Sequence, residues 1–288
     1  NLQFLTGIDI FGFKAEGYVY EKRLIFLDKD QAYTIGRLSG PFGEELISGA
    51  FISKLSFPIF FYLGQIFKNS KKIYKLLIIL FFVIIIESVI ITGERSSTLI
   101  IISSFILSIY FSFGIKNTLK VLLPFILCFT IAINFNDFLK FRTKDSISII
   151  KNIPESSYGV LYQSAIGVWK KNFYTGVGLK NFRTNCKYEP DPEINKYPIC
   201  STHPHNVLLE ILSETGIIGL CIFLLFLIFF IISFRKSYKK EEFVNLKYIS
   251  LGSLFMVVVS MIPLYPSGSI FSTWNATLLW INFGIALL

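Results

Sequence analysis

The chain alternates long apolar runs with short polar ones. Seven apolar runs stand out, at about 50–67, 73–92, 97–114, 119–136, 207–233, 247–265 and 274–288. Most approach the roughly 20 residues that a helix needs to cross the hydrocarbon of a bilayer. None shows the repeated apolar/polar alternation over ~10 residues that marks a membrane barrel strand. The pattern predicts an all-α integral membrane protein, a polytopic bundle of transmembrane helices. It divides into a segment 1–49, four spans within 50–136, a large loop 137–206 and three spans within 207–288. The first segment is too polar and glycine-rich to span, and its end near Glu44 to Gly49 is expected to pack on the first span. Within the large loop, Val160, Leu161, Ala165, Val168 and Trp169 fall near helical spacing. This predicts an amphipathic helix over 157–172, lying on the membrane surface. A glycine-marked turn, F-Y-T-G-V-G-L-K-N-F, follows it, and then a loop-like stretch, 186–200, with three prolines.

Charge orients the bundle. Lys68, Lys71, Lys72 and Lys75 separate the first two spans; Lys116 and Lys120 separate the third and fourth; Arg235, Lys236, Lys239, Lys240 and Lys247 separate the fifth and sixth. The alternate short turns, 93–97 and 266–273, are nearly free of Lys and Arg. All three basic loops share one side if all seven runs cross, and that side is cytoplasmic by the positive-inside rule. The large loop then faces outward, as do the first segment and both basic-poor turns. The composition agrees, at 53% hydrophobic with 31 Phe. The net charge of +9 is not a nucleic-acid signal, because the lysines cluster in the short loops between spans. The first residue is Asn1, with no signal peptide ahead of it, so the chain reads as lacking its beginning and the span count as a minimum.

The candidate chemistry lies on the outward side. Both histidines, His203 and His205, end the large loop, directly before the fifth span. Arg95 is at the tip of a short turn, T-G-E-R-S-S, Arg142 opens the large loop and Arg183 follows the glycine turn. Arginine suits bidentate phosphate recognition and stays charged, while histidine exchanges a proton near neutral pH. Arginines and a histidine at an outer membrane interface fit the handling of a phosphorylated lipid. Each residue also has an ordinary reading. Arg95 would snorkel to headgroups, Arg142 and Arg183 would be solvated loop charges, His203 would shape the turn before Pro204, and Asn206 would be a helix N-cap. Glu210 and Glu214, at i and i+4, would be polar contacts within the bundle, a proton path, or part of an interfacial first turn or two. Gly216 and Gly219 read as a close helix–helix contact.

Of the cysteines, Cys128 and Cys221 lie inside spans as packing residues. Cys186 and Cys200 share the outward loop, which favours a disulfide; by the loop-entropy model it would contribute about 3 kcal/mol. A metal site is disfavoured, since there is no CxxC spacing and His203-Pro204-His205 is not a helical i, i+4 pair.

His205-Asn206, nine residues, Gly216, two residues and Gly219 resemble the H-N-x9-G-x-x-G signature of the O-antigen ligase and polymerase superfamily. Other stretches are similar in order: R-L-S-G-P-F-G-E-E-L-I-S-G (37–49), T-G-E-R-S-S (92–97), N-F-Y-T-G-V-G-L-K-N-F (172–182), with Tyr174 where proline is common, and P-S-G-S-I-F-S-T-W-N-A (266–276). The resemblance implies a GT-C-like helical glycosyltransferase with further spans upstream. Such an enzyme moves a glycan from undecaprenyl pyrophosphate to an acceptor at the periplasmic face, with neither metal nor nucleotide. The acceptor is lipid A–core for a ligase and a second lipid-linked glycan for a polymerase. The residues and the resemblance together suggest His205 as general base or as the group that orients the acceptor hydroxyl, Arg95 and Arg142 on the donor pyrophosphate, and Arg183 on an acceptor phosphate, with Glu210 orienting His205 or Asn206. A polysaccharide-lipid transporter or flippase is the contrasting class. It would place ionisable residues deep in spans, where only Glu87 stands out. A structural protein of an envelope complex is the remaining alternative.

Overall fold

The computed structural model describes residues 3, 10–12, 38–43, 45–135, 137–186, 200–262 and 266–288; at several positions between 128 and 145, Cys128 and Arg142 among them, it describes the backbone only. Most of the first segment and the proline-rich stretch of the large loop therefore lie outside the described residues. Among the described residues the protein is helical and has no strand. Among the described residues four helices are long and apolar enough to cross a membrane: α1 (Ser48–Asn69), α2 (Lys72–Ile91), α3 (Arg95–Phe113) and α8 (Val207–Lys240). The protein is a multi-pass membrane protein by this composition. The remaining helices are α4 (Ile115–Phe135), α5 (Asp137–Lys151), α6 (Ser157–Lys171), α7 (Phe182–Asn185), α9 (Val244–Ser260) and α10 (Thr273–Ala286). They form two compact units, 1–146 and 147–288, with the division falling inside α5.

In the first unit α1 and α3 make the most extensive helix pair. The reason is a stripe of small residues. Ser97, Ser104, Ser108 and Ser112 of α3 are buried, and a Cβ on Gly64 of α1 would stand 2.7 Å from Ser112 Oγ. Small residues let helix backbones approach closely where no hydrophobic force distinguishes a helix from lipid. Phe60, Phe82, Ile86, Val89 and Ile101 fill the space among α1, α2 and α3, with Phe60 edge-on to Phe82 at 4.7 Å. The outer face of α2, including Leu76, Leu77, Leu80, Val83 and Ile84, is apolar and exposed, as a lipid-facing helix requires.

The second unit holds two layers. The helix expected in the large loop is present as α6. Ser156 caps it, accepting the Gly159 N–H at 3.2 Å, and its apolar face packs on the start of α8. At the other end α9 and α10 pack together, tied by Ser250 Oγ donating to the Ala286 carbonyl at 2.6 Å. Phe283 of α10 meets Phe226 and Phe230 of α8, at 5.2 and 4.6 Å between ring centres.

Three findings differ from the pattern of the sequence. A 15-residue helix, α5, occupies the start of the expected loop, so Arg142 lies on a helix. The helix from Val207 is not one straight span: Gly216 breaks it at φ 68, ψ −170. The uninterrupted apolar part runs over 217–234, about 27 Å of helix at 1.5 Å per residue, close to a hydrocarbon core. Glu210 and Glu214 lie before the break. Cys221 is exposed on the apolar face of α8 rather than packed inside the second unit.

Candidate functional site

The second unit gathers the histidine turn, the start of α8, α6, the glycine turn 172–182 and the turn 266–272. Asn206 begins α8. Its backbone is extended (φ −145, ψ 119) and its side chain accepts the Leu209 N–H at 3.0 Å. Its N-cap reading therefore holds. Tyr162 of α6 has its hydroxyl beside Asn206, and burial pushes that hydroxyl up to about 12, so it stays neutral.

His205 adopts φ 55, a left-handed conformation that residues other than glycine seldom take. Such strain, about 1–3 kcal/mol, persists where surrounding contacts over-determine it. Here the His205 carbonyl accepts the Ser267 N–H at 2.9 Å. Its ring lies 4.2 Å from that of His203 and edge-on to Tyr158 at 5.8 Å. His203 is held at both ring nitrogens: Nε2 lies 3.3 Å from the Ser267 carbonyl and Nδ1 lies 3.0 Å from Thr202 Oγ1. A carbonyl only accepts, so this network places a proton on Nε2, and in the neutral ring Nδ1 then accepts from the threonine hydroxyl. Both ring nitrogens of His203 are thus committed, which suits a residue that shapes the turn.

Glu210 is 2% exposed and holds the far turn rather than the histidine turn directly: its carboxylate accepts from Ser269 Oγ and from the Ile270 N–H, the latter at 2.9 Å. Asn275 closes the same turn, donating to the Gly268 and Ser269 carbonyls at 2.9 and 2.8 Å. Because Ser267 in this turn meets both histidines, Glu210 acts on them at one remove. Removing a buried carboxylate that satisfies two donors costs about 1–3 kcal/mol for each donor left unpaired. Glu210→Ala is therefore expected to lower the melting temperature of the detergent-purified protein and to loosen the histidine turn, read as faster amide exchange at Ser267 and Ile270.

Glu214, 1% exposed, holds the glycine turn, accepting the Lys180 and Phe182 N–H groups at 2.6 and 3.3 Å. The backbones of the turn and the helix then exchange partners. In an unbroken helix the Ile217 and Ile218 N–H groups would donate to the Ser213 and Glu214 carbonyls. Instead those carbonyls accept from Val177 and Gly178, at 3.1 and 2.8 Å, while Ile217 and Ile218 donate to the Phe173 and Tyr174 carbonyls, at 2.9 and 3.3 Å. Four hydrogen bonds replace the two that the break removes.

This exchange corrects the reading of the two glycines. Gly216 is not a helix–helix contact: its φ is left-handed, and a Cβ there would overlap the Tyr174 carbonyl. Gly219 faces Thr215, which the break folds onto it; a Cβ at Gly219 would overlap the Thr215 side chain.

Cys186 and Cys200 are joined as a disulfide, with Cα atoms 5.1 Å apart. Phe182, Cys186, Ala165 and Val168 form a small core beneath it, with Val177, Cys200 and Leu209 at its edge. The bridge anchors the chain three residues before His203. Dithiothreitol, or a Cys186→Ser/Cys200→Ser variant, is expected to reduce stability by about 3 kcal/mol, measured by thermal unfolding with and without reductant. Arg183, on α7, is exposed and within electrostatic reach of Glu214.

Arg95 and Arg142 belong to the first unit. Arg95 is the first residue of α3 and is half-buried; the Arg142 side chain lies outside what the structure describes. The structure thus brings His203, His205, Asn206 and Glu210 together, with Arg183 beside the Glu214 clamp. Two charged residues that the sequence reading passed over are buried in the first unit, Lys54 (4% exposed) and Glu94 (6% exposed). Glu94 carried a signal, since it directly precedes Arg95. Lys54 sits in an otherwise apolar run that masks it.

Helices that cross a membrane, together with a strained histidine at the head of one of them, define a membrane protein with a built polar site. Residues 76–224, about half the chain, match the family described as O-antigen ligase. The protein belongs to that family and is a membrane enzyme of the O-antigen ligase/polymerase type. The matched stretch contains Arg95, Arg142, Arg183, both histidines and both glycines. A comparison with curated proteins finds no match.

Proposed function

We propose that the protein is an O-antigen ligase, transferring a glycan from undecaprenyl pyrophosphate to lipid A–core at the periplasmic face of the inner membrane. In this reading all seven apolar runs cross the bilayer, the basic loops face the cytoplasm and the histidine turn faces outward. His205 takes the proton of the acceptor hydroxyl. The hydroxyl oxygen attacks the anomeric carbon, the bond from that carbon to the pyrophosphate breaks, and the pyrophosphate departs with the bonding pair. Arg95 and Arg142 stabilise the charge that develops on it, a positioned electrostatic contribution. Arg183 binds a phosphate of the acceptor. The donor is already activated, so neither metal nor nucleotide is needed. The observation that carries the reading is the strained, three-sided support of His205 in a chain of this family.

The test is transfer by the purified protein from a defined undecaprenyl-pyrophosphate glycan. Lipid A–core and a second lipid-linked glycan are offered separately, in the presence of chelator. Capped lipid A–core is the expected product. Extension of the lipid-linked glycan alone would make the protein a polymerase, and no product with either acceptor would remove the assignment.

A further inference from the structure

We propose that Glu94 is a positioning residue for Arg95, fixing the arginine turn to the start of α1. The proposal rests on the reading of Arg95 as a donor pyrophosphate contact. The first N–H groups of a helix lack intrahelical partners and are usually capped by the residue just before it. For α1 that residue is Ile47, which has no side-chain acceptor. The cap comes instead from 45 residues away: Glu94 accepts the Gly49 N–H at 3.0 Å and the Ala50 N–H at 3.1 Å. Glu94 is itself the N-cap of α3, whose first residue is Arg95. One residue therefore terminates two helices, α1 through its carboxylate and α3 through its backbone carbonyl, which accepts the Thr98 N–H at 3.0 Å, and sets the arginine in register with both.

The surroundings hold this carboxylate in place. Ser97 Oγ donates to it at 2.6 Å, and Lys54 of α1 interacts with it electrostatically from a buried position. The Leu38 N–H donates to the Thr92 carbonyl at 3.0 Å, which ties the same turn to the chain entering α1. Gly49 permits the approach: a Cβ there would stand 2.5 Å from Thr92 Oγ1 and 3.1 Å from Glu94 Cδ. A buried carboxylate is costly unless fully partnered. A cap supplied by the residue just before α1 would leave the arginine turn untied. What the long-range cap adds is rigidity at Arg95.

The experiment measures the dissociation constant of undecaprenyl pyrophosphate for the purified full chain in detergent. The proteins compared are wild type, Arg95→Ala, Glu94→Gln, Ser97→Ala and each of the last two combined with Arg95→Ala. Glu94→Gln is expected to weaken binding about tenfold and Ser97→Ala about threefold, and neither should add more than about twofold once Arg95 is gone, the non-additivity of residues acting as one unit. Wild-type affinity in Glu94→Gln would overturn the proposal. So would an equal loss in the Arg95→Ala background, which would mean a general structural role. If Arg95→Ala itself binds like wild type, the donor-contact reading fails, and the proposal with it. Should Glu94→Gln not fold, the Ser97 cycle decides the same question: additivity there, or no effect of Ser97→Ala, overturns the proposal.

Discussion

Gly216→Ala is expected to eliminate glycan transfer while leaving the protein in the membrane. The backbone at φ 68, ψ −170 is a region that essentially only glycine occupies, and an L-residue forced there is strained by about 1–3 kcal/mol. A Cβ would also overlap the Tyr174 carbonyl and lie 2.5 Å from the Thr175 amide nitrogen. Both are backbone atoms, so no rotamer change relieves the collision. The glycine turn must lift off, opening four backbone hydrogen bonds at about 1 kcal/mol each, or α8 must straighten. In either case the residues ahead of the break, which carry Asn206 and Glu210, lose their place. Gly176→Ala is the reciprocal test, because a Cβ there would overlap the backbone of Glu214. The readout is the lipopolysaccharide ladder in a ligase-null strain, with fluorescence size-exclusion to confirm membrane insertion. A normal ladder from Gly216→Ala would show that the interlock is dispensable.

His205→Asn is expected to lower the transfer rate by about 10²–10⁴, the usual contribution of a positioned general base. Asparagine is preferable to alanine at this position because it tolerates the left-handed backbone. The Ser267 hydrogen bond to residue 205 uses the backbone carbonyl and survives the change. The same loss in a stably folded protein therefore reports on the imidazole and not on the turn. His203→Ala removes a ring already committed to Thr202 and Ser267. It is expected to cost about tenfold, equivalent to about 1.4 kcal/mol of positioning. If His203→Ala proves the more damaging of the two in a single-turnover transfer assay, the roles of the two histidines are reversed.

What the sequence made legible follows from periodicity and short spacing. Long apolar runs announce spanning helices because the bilayer dictates their length. The helix at Ser157–Lys171 was visible in its apolar face, and Asn206 was visible as a cap because capping is local. The break at Gly216 was not. A glycine pair three residues apart looks the same whether it packs against another helix or frees the backbone to turn. The partners that decide between these are the carbonyls of Phe173 and Tyr174, some 40 residues upstream and outside any periodic pattern. Lys54 was hidden for a similar reason: one lysine in an apolar run is indistinguishable from a span end until its neighbour Glu94 comes into view.

The clamp between Glu210 and the turn at Ser269–Ile270 also bears on biogenesis. Sixty residues separate the two sides, and the chain between them contains all of α9. The ribosome delivers His205 to the translocon well before it delivers Ser267, so a half-inserted chain carries its histidines without the turn that braces them. In the proposed mechanism the turn that follows α9 thus completes the centre, and a copy terminated before that turn leaves its histidine unbraced.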